Sequence, residues 1–197
     1  NFRPQCDELF EKNRTMLGRA QTDWLVENLR SNRASWNVIA SPGPFLPFRL
    51  ENNKKELRYI GAWDAYPENR QEIINAIETS PGHHLVLSGD MHSFWAIDAN
   101  DDLFLNKKTE LIEFVGSSVS ANWPEPLSKP VRTNLKKNKQ IKFYNGEKRG
   151  YFLHELNTDT WVATAKGVLN TKDKKSKILQ LAKFLVKKGK SGFQRIE

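Results

Sequence analysis

The stretch Leu85-Val86-Leu87-Ser88-Gly89-Asp90-Met91-His92-Ser93-Phe94-Trp95 constrains this chain more than any other. An apolar run of β type ends at Gly89. A carboxylate and an imidazole follow at once, and Trp95 then leads into a second apolar run. This pattern predicts a buried strand that ends in a tight loop. Alternate residues of an extended turn point the same way, so Asp90 and His92 can approach one ion or two adjacent ions. By itself the pattern is equally that of a surface loop with a solvated Asp and an incidental His.

The neighbouring segments give the loop a context. Trp24, Leu25, Val26 and Leu29 recur at helical spacing, which predicts a helix over about 21–30. Trp36 to Ala40 is a short buried strand. Ser41-Pro42-Gly43-Pro44 is a turn, since two prolines flanking a glycine continue neither helix nor strand. Residues 45–62 read as a long irregular excursion. Pro67 suits the first turn of a helix carrying Ile73, Ile74 and Ile77, closed by Pro81-Gly82. His83-His84 opens the central strand. Helix, strand, loop, helix, strand, with reactive residues in loops after strands, is the layout of an α/β protein.

Downstream the pattern turns to β. Strands are expected over 94–97, 103–105, 111–115, 142–144, 150–156 and 161–168, and again over 178–186. Residues 117–120 form a small-residue loop. The stretch 121–140, rich in Pro and Lys, reads as irregular. No internal repeat is evident.

Composition narrows the chemistry. Cys6 is the only cysteine of the 197 residues, which excludes an internal disulfide and a cysteine-based zinc site. Any metal must be held by oxygen and nitrogen. No window of 18 apolar residues exists, so no helical membrane span is expected. The net charge of +8 is uneven: residues 1–100 hold 11 basic and 13 acidic side chains, and residues 101–197 hold 20 and 10. A basic half suits an anionic partner, or is a lysine-rich solvated face. The chain starts at Asn1 rather than Met and reads as an internal piece of a longer protein.

Taken in order, these pieces resemble the C-terminal half of alkaline phosphatase D-like (PhoD-like) metallophosphoesterases. Met16-Leu17-Gly18, Gln21, Trp24-Leu25 and Leu29 resemble that family's lead-in helix, and Trp36-Asn37-Val38 its next strand. Trp63-Asp64-Ala65-Tyr66 with Arg70 resembles its Trp-Asp-Gly-Tyr element, with Ala65 for the usual glycine. Leu87 to Ser93 resembles its final metal-binding loop, and Glu113 to Ser120 the serine-rich loop after it. Arg149-Gly150-Tyr151 and Gly189 to Gln194 resemble its closing strands. Ser41 and Pro42 stand where the family often carries amide side chains.

The resemblance implies an α/β fold: the C-terminal half of a four-layer αββα sandwich with mixed sheets. Residues 1–197 would be the C-terminal portion of one metallophosphoesterase domain, its N-terminal half lying upstream. It implies hydrolysis of phosphate esters, as a phosphomonoesterase or phosphodiesterase, with two or more metal ions, Ca2+ and Fe3+. His92 would hold the iron-type ion and Asp90 the calcium-type ion, both being catalytic. Asp64 would be a calcium ligand or stand behind one. Alternatively it satisfies backbone N–H groups at a helix N-terminus. Arg70 would neutralise substrate phosphate, or pair with Glu68 or Glu72. Trp63 and Tyr66 would contact substrate, although buried aromatics also serve as plain core. The implied location is periplasmic or secreted. His83, His84 and His154 read as structural, and Ser117 and Ser118 lack a base that would make them nucleophiles. The competing reading is a non-catalytic anion- or nucleic-acid-binding module in which Phe143, Tyr144, Tyr151 and Trp161 interleave with lysines.

Overall fold

The apolar runs of the chain become strands of two facing sheets. In the computed structural model, which describes residues 2–52, 54–101 and 110–197, a short strand β1 (Phe2–Arg3) leads to helix α1 (Arg19–Ser31) and strand β2 (Trp36–Ala40). Strands β3 (Leu50–Asn52) and β4 (Lys55–Tyr59) follow. After a 3-10 turn at Trp63–Ala65 comes helix α2 (Pro67–Glu78). Then come β5 (His83–Ser88), β6 (Phe94–Asp98), β7 (Leu111–Val115) and helix α3 (Glu125–Asn134). The chain closes with β8 (Ile141–Asn145), β9 (Arg149–Leu156), β10 (Thr160–Val168), β11 (Ile178–Lys187) and β12 (Gln194–Arg195).

The larger sheet is mixed, in the order β2-β5-β7-β6-β8. Strands β2, β5 and β7 run parallel, and β6 is antiparallel to β7 and β8. Val86 stands beside Ile39 on one side and Glu113 on the other. A second, antiparallel sheet has the order β12-β11-β10-β9. A small third sheet, β1-β4-β3, draws β3 and β4 from what the sequence presents as an irregular excursion and β1 from the N-terminus.

Alternation along the central strands builds two cores. Leu85, Phe94, Ala96, Ile112 and Phe114 point to the second sheet and meet Trp161, Ala163, Ala165, Phe184 and Val186. Val86, Trp95, Ile97, Leu111 and Val115 point the other way, into a core with Leu29, Ile73, Ile74 and Ile77 of α1 and α2. Burying each such side chain contributes about 1.5–3 kcal/mol. Strands covered on both faces read as continuous apolar runs, which is why β5 to β7 were legible. The layers are helix, sheet, sheet, matching three of the four layers that the resemblance implies.

Several expectations are corrected in detail. The stretch 121–140 contains α3 and a 3-10 turn at Leu135–Lys137. Prolines at 124 and 126 suit a helix start, but Pro130 inside the helix hid it. The expected strand at 103–105 lies outside the described residues. Of the aromatics offered as a stacking surface, Trp161 is core, Phe143 packs against that core, and Tyr144 lies 4.5 Å from the Trp95 ring. Tyr151 is exposed. Among the described residues, no helix is long and apolar enough to cross a membrane.

Candidate functional site

Three loops meet at the C-terminal ends of the parallel strands β2, β5 and β7, where open α/β sheets usually place their ligands. After β2, Gly43 lies against the loop that follows β5: a Cβ on Gly43 would sit 3.0 Å from Ala62 and 4.0 Å from Asp90 Cβ. After β7, the Gly116 N–H donates to the Ser88 carbonyl at 2.7 Å.

The loop after β5 is twisted into an uncommon shape. Asp90 (φ 69°) and His92 (φ 50°) both occupy the left-handed region, which is uncommon for residues other than glycine and costs backbone energy. Neighbours hold the twist in place. Met91 between them is buried, and its N–H donates to the Gly89 carbonyl at 2.8 Å. The Ser93 hydroxyl donates back to the Met91 carbonyl at 2.9 Å, and Trp95 Nε1 donates to that hydroxyl at 2.8 Å.

Each of the two reactive side chains is oriented by one contact. Tyr59 Oη donates to Asp90 Oδ2 at 2.6 Å. His92 Nδ1 lies 3.3 Å from the Asn122 carbonyl, which favours a proton on Nδ1 and leaves Nε2 as the lone-pair nitrogen. A carboxylate oxygen and an imidazole nitrogen held in this way fit a metal ion that takes mixed oxygen and nitrogen donors. Among the described residues, no cluster of three or more His, Cys, Asp or Glu side chains joins them. Asp90 and His92 can therefore supply part of a coordination sphere.

The other expected site residues stand behind this pair. Asp64 is buried; Arg70 Nη1 donates to its Oδ1 at 2.6 Å, and the Tyr59 N–H donates to its Oδ2 at 3.2 Å. Arg70 also reaches the Phe45 carbonyl at 3.3 Å. The sequence offered Asp64 as a calcium ligand, a residue behind one or a helix-start cap, and Arg70 as a phosphate donor or a partner of Glu68 or Glu72; in the structure each engages the other. The relay Arg70–Asp64–Tyr59–Asp90 fixes the carboxylate from behind. Trp63 is buried, donates to Ser41 Oγ at 3.1 Å and packs edge-on against Phe45. Tyr66 lies beneath the Arg14 guanidinium, 5.1 Å from ring centroid to Cζ. Neither aromatic is brought to Asp90 or His92 by a hydrogen bond or ring contact among the described residues.

Two participants escaped the sequence reading. Tyr59 sits at the end of β4, in a segment without periodic signal. Glu113 had a signal, a carboxylate inside the apolar strand Leu111–Val115. It is fully buried and accepts from the Phe45 N–H (2.8 Å), the Leu46 N–H (2.7 Å) and the Ser88 hydroxyl (2.5 Å). Burial pushes its carboxyl up to about 7, against the opposing pull of those three donors and of Arg70. Glu113 thereby ties the loop after β2 to the last residue of β5. The three structural histidines conform to expectation. His83 accepts from the Gly189 N–H, His84 is buried beside Asn37, and His154 accepts from Trp161 Nε1. Ser117 and Ser118 donate to the Lys148 and Ala121 carbonyls.

Comparison with known proteins shows the family and the fold. Residues 1–165 match the family described as PhoD-like phosphatase. The chain is 30% identical over 199 residues to alkaline phosphatase D of Bacillus subtilis (strain 168), covering 98% of this chain and 34% of that protein. A solved structure titled "Structure of PhoD" superposes on the whole chain with a TM-score of 0.86 at 29% identity, and the chain covers 38% of it. The chain thus spans little more than a third of the relatives it matches.

Proposed function

Given that this chain belongs to the PhoD-like phosphatase family, we propose that it forms part of a metal-dependent phosphate ester hydrolase in which Asp90 and His92 hold the metal. The observation that supports this reading most is the paired left-handed backbone at Asp90 and His92, braced by Met91, Ser93 and Trp95. Such strain persists where the surroundings over-determine it, and it clusters at functional sites. Calcium-type and iron-type ions would lower the pKa of a bound water and neutralise the phosphoryl oxygens. Asp90 would present Oδ1 while Tyr59 holds Oδ2, and His92 would present Nε2 while the Asn122 carbonyl holds Nδ1. Asp64, held by Arg70, accepts from the Tyr59 N–H and so supports Tyr59 from behind. The substrate under this proposal is a phosphomonoester or a phosphodiester, in a periplasmic or secreted setting.

The test has two readouts. The first is hydrolysis of p-nitrophenyl phosphate and bis(p-nitrophenyl) phosphate with calcium and ferric iron by a full-length parent protein containing this chain, with and without Asp90→Ala and His92→Ala, the chain alone being expected to be inactive. Each substitution should lower the rate by about 100-fold or more. The second is the metal content of the chain after dialysis, which each substitution should reduce. Activity and metal content unchanged in both variants would overturn the assignment.

A further inference from the structure

A second concave region lies beside His92. It is a cleft of about 710 Å³ between α3 and the turn joining β8 to β9, and Asn122, whose carbonyl contacts His92, is in its wall. Arg149 and Trp123 line one side, and Lys129 and Arg132 of α3 line another. The single carboxylate among the lining residues is Glu147, which pairs with Arg132. Three cationic side chains thus face one anionic one.

Arg149 is the unusual member. Its side chain is buried, 4% exposed, yet no carboxylate pairs with it among the described residues. Its Nη1 donates to the Ala121 carbonyl at 2.8 Å and its Nη2 to the Gly146 carbonyl at 2.7 Å. Its Nε is buried without a hydrogen-bond partner, and so is Nε1 of Trp123, itself 9% exposed. Both residues line the cleft, and an N–H donor orphaned behind its wall is costly unless something accepts from it. Carbonyl dipoles offset only part of the penalty for a buried guanidinium, and burial accordingly pulls its pKa down. What would complete the cleft is an anion whose acceptor oxygens meet the Nε–H that the Ala121 and Gly146 carbonyls leave unpaired and the charges of Lys129 and Arg132.

We propose that this cleft is an anion subsite for a phosphate-type oxyanion, with Arg149 and Trp123 as its buried donors and Lys129 and Arg132 as its outer charges. Its role as the seat of a second, non-scissile anionic group of the substrate rests on the hydrolase reading above. Binding of the oxyanion itself does not.

The experiment uses the whole chain with a chelator present, so that no metal site competes. Inorganic phosphate, and separately pyrophosphate, is titrated against chloride at matched ionic strength. The readout is the indole N–H resonance of Trp123 in nitrogen-15 spectra, assigned by its loss in Trp123→Phe. A saturable shift is expected with either probe. In Lys129→Gln/Arg132→Gln, whose exposed sites leave folding intact, the affinity should fall roughly fivefold or more. It should be unchanged in Asp90→Ala. No saturable shift, or a shift indifferent to the double substitution, would overturn the proposal. Loss of the shift in Asp90→Ala would place the anion at the metal loop and overturn it also. Because the titration involves neither metal nor turnover, its failure is separable from failure of the hydrolase assignment.

Discussion

Strands β5 and β7 bury both of their faces, but they build the two faces by different rules. Toward the second sheet their buried side chains are hydrocarbon, Leu85, Ile112 and Phe114, with the imidazole of His83 at the margin. Toward the helices they present Val86 and Val115, with Glu113 among them. The apolar face needs only shape. The other face carries a carboxyl whose three hydrogen bonds reach the loop after β2 and the end of β5. One face fastens the sheets together, and the other aligns the loops that carry Asp90. Each side also contains a buried titratable group whose charged form is disfavoured by burial. Glu113 is pushed up to about 7, and His154, tilted against Phe114 from the opposing sheet, is pulled down to about 4 by burial.

Four substitutions would break or sharpen this contrast. The largest effect is expected from Phe114→Ala, which empties the middle of the inter-sheet core. It should cost about 3–5 kcal/mol in chemical denaturation. A loss below about 1 kcal/mol would mean that the two sheets do not share a core.

Next comes Glu113. Its folded pKa of about 7 lies above the unfolded value near 4.5, so its contribution is full below about pH 4.5 and is lost as pH rises through 7. The total loss is about 3 kcal/mol. Denaturation of Glu113→Gln across this range should show that slope removed. The opposite sign holds for His154. Its folded value is depressed, so its contribution is present above about pH 6.5 and is lost as pH falls through 4. Protonation at Nδ1 would also abolish the bond from Trp161 Nε1. His154→Gln should flatten the acid limb alone, and His84, also pulled down to about 4, leaves part of that limb in place.

The smallest change in stability is expected from Tyr59→Phe, about 1 kcal/mol or less, since it removes one hydrogen bond at the edge of the site. Its effect on bound calcium or iron should be larger, about 10-fold or more in affinity, because Asp90 would lose its orienting contact. Equal metal affinity in Tyr59→Phe would show that the relay behind Asp90 is structural only.

What could be read from the sequence follows from how local each signal is. Helices α1 and α2 and strands β5 to β7 advertise themselves through periodicity or unbroken apolar runs. The Gly89–His92 loop stands out because its residue types are abrupt after a strand. The β1-β4-β3 sheet could not be read, since it joins Phe2 to Tyr59 through very short strands whose pairing is a long-range event. Helix α3 was concealed by Pro130. The site showed the same division. Asp90 and His92 were visible as a short motif. The engagement of Asp64 with Arg70 was not, because residues six apart around a helix start can pair or point outward with equal ease. Tyr59 had no local signal, and Glu113 was a visible anomaly whose partners lie 25, 67 and 68 residues away.

The twisted backbone at Asp90 and His92 has a kinetic corollary. Its conformational cost is met when the chain folds, before any cation arrives. Under the proposed metal assignment, an incoming ion would meet donors that are already aimed, and capture would be governed by shedding of the ion's own hydration shell rather than by rearrangement of the peptide.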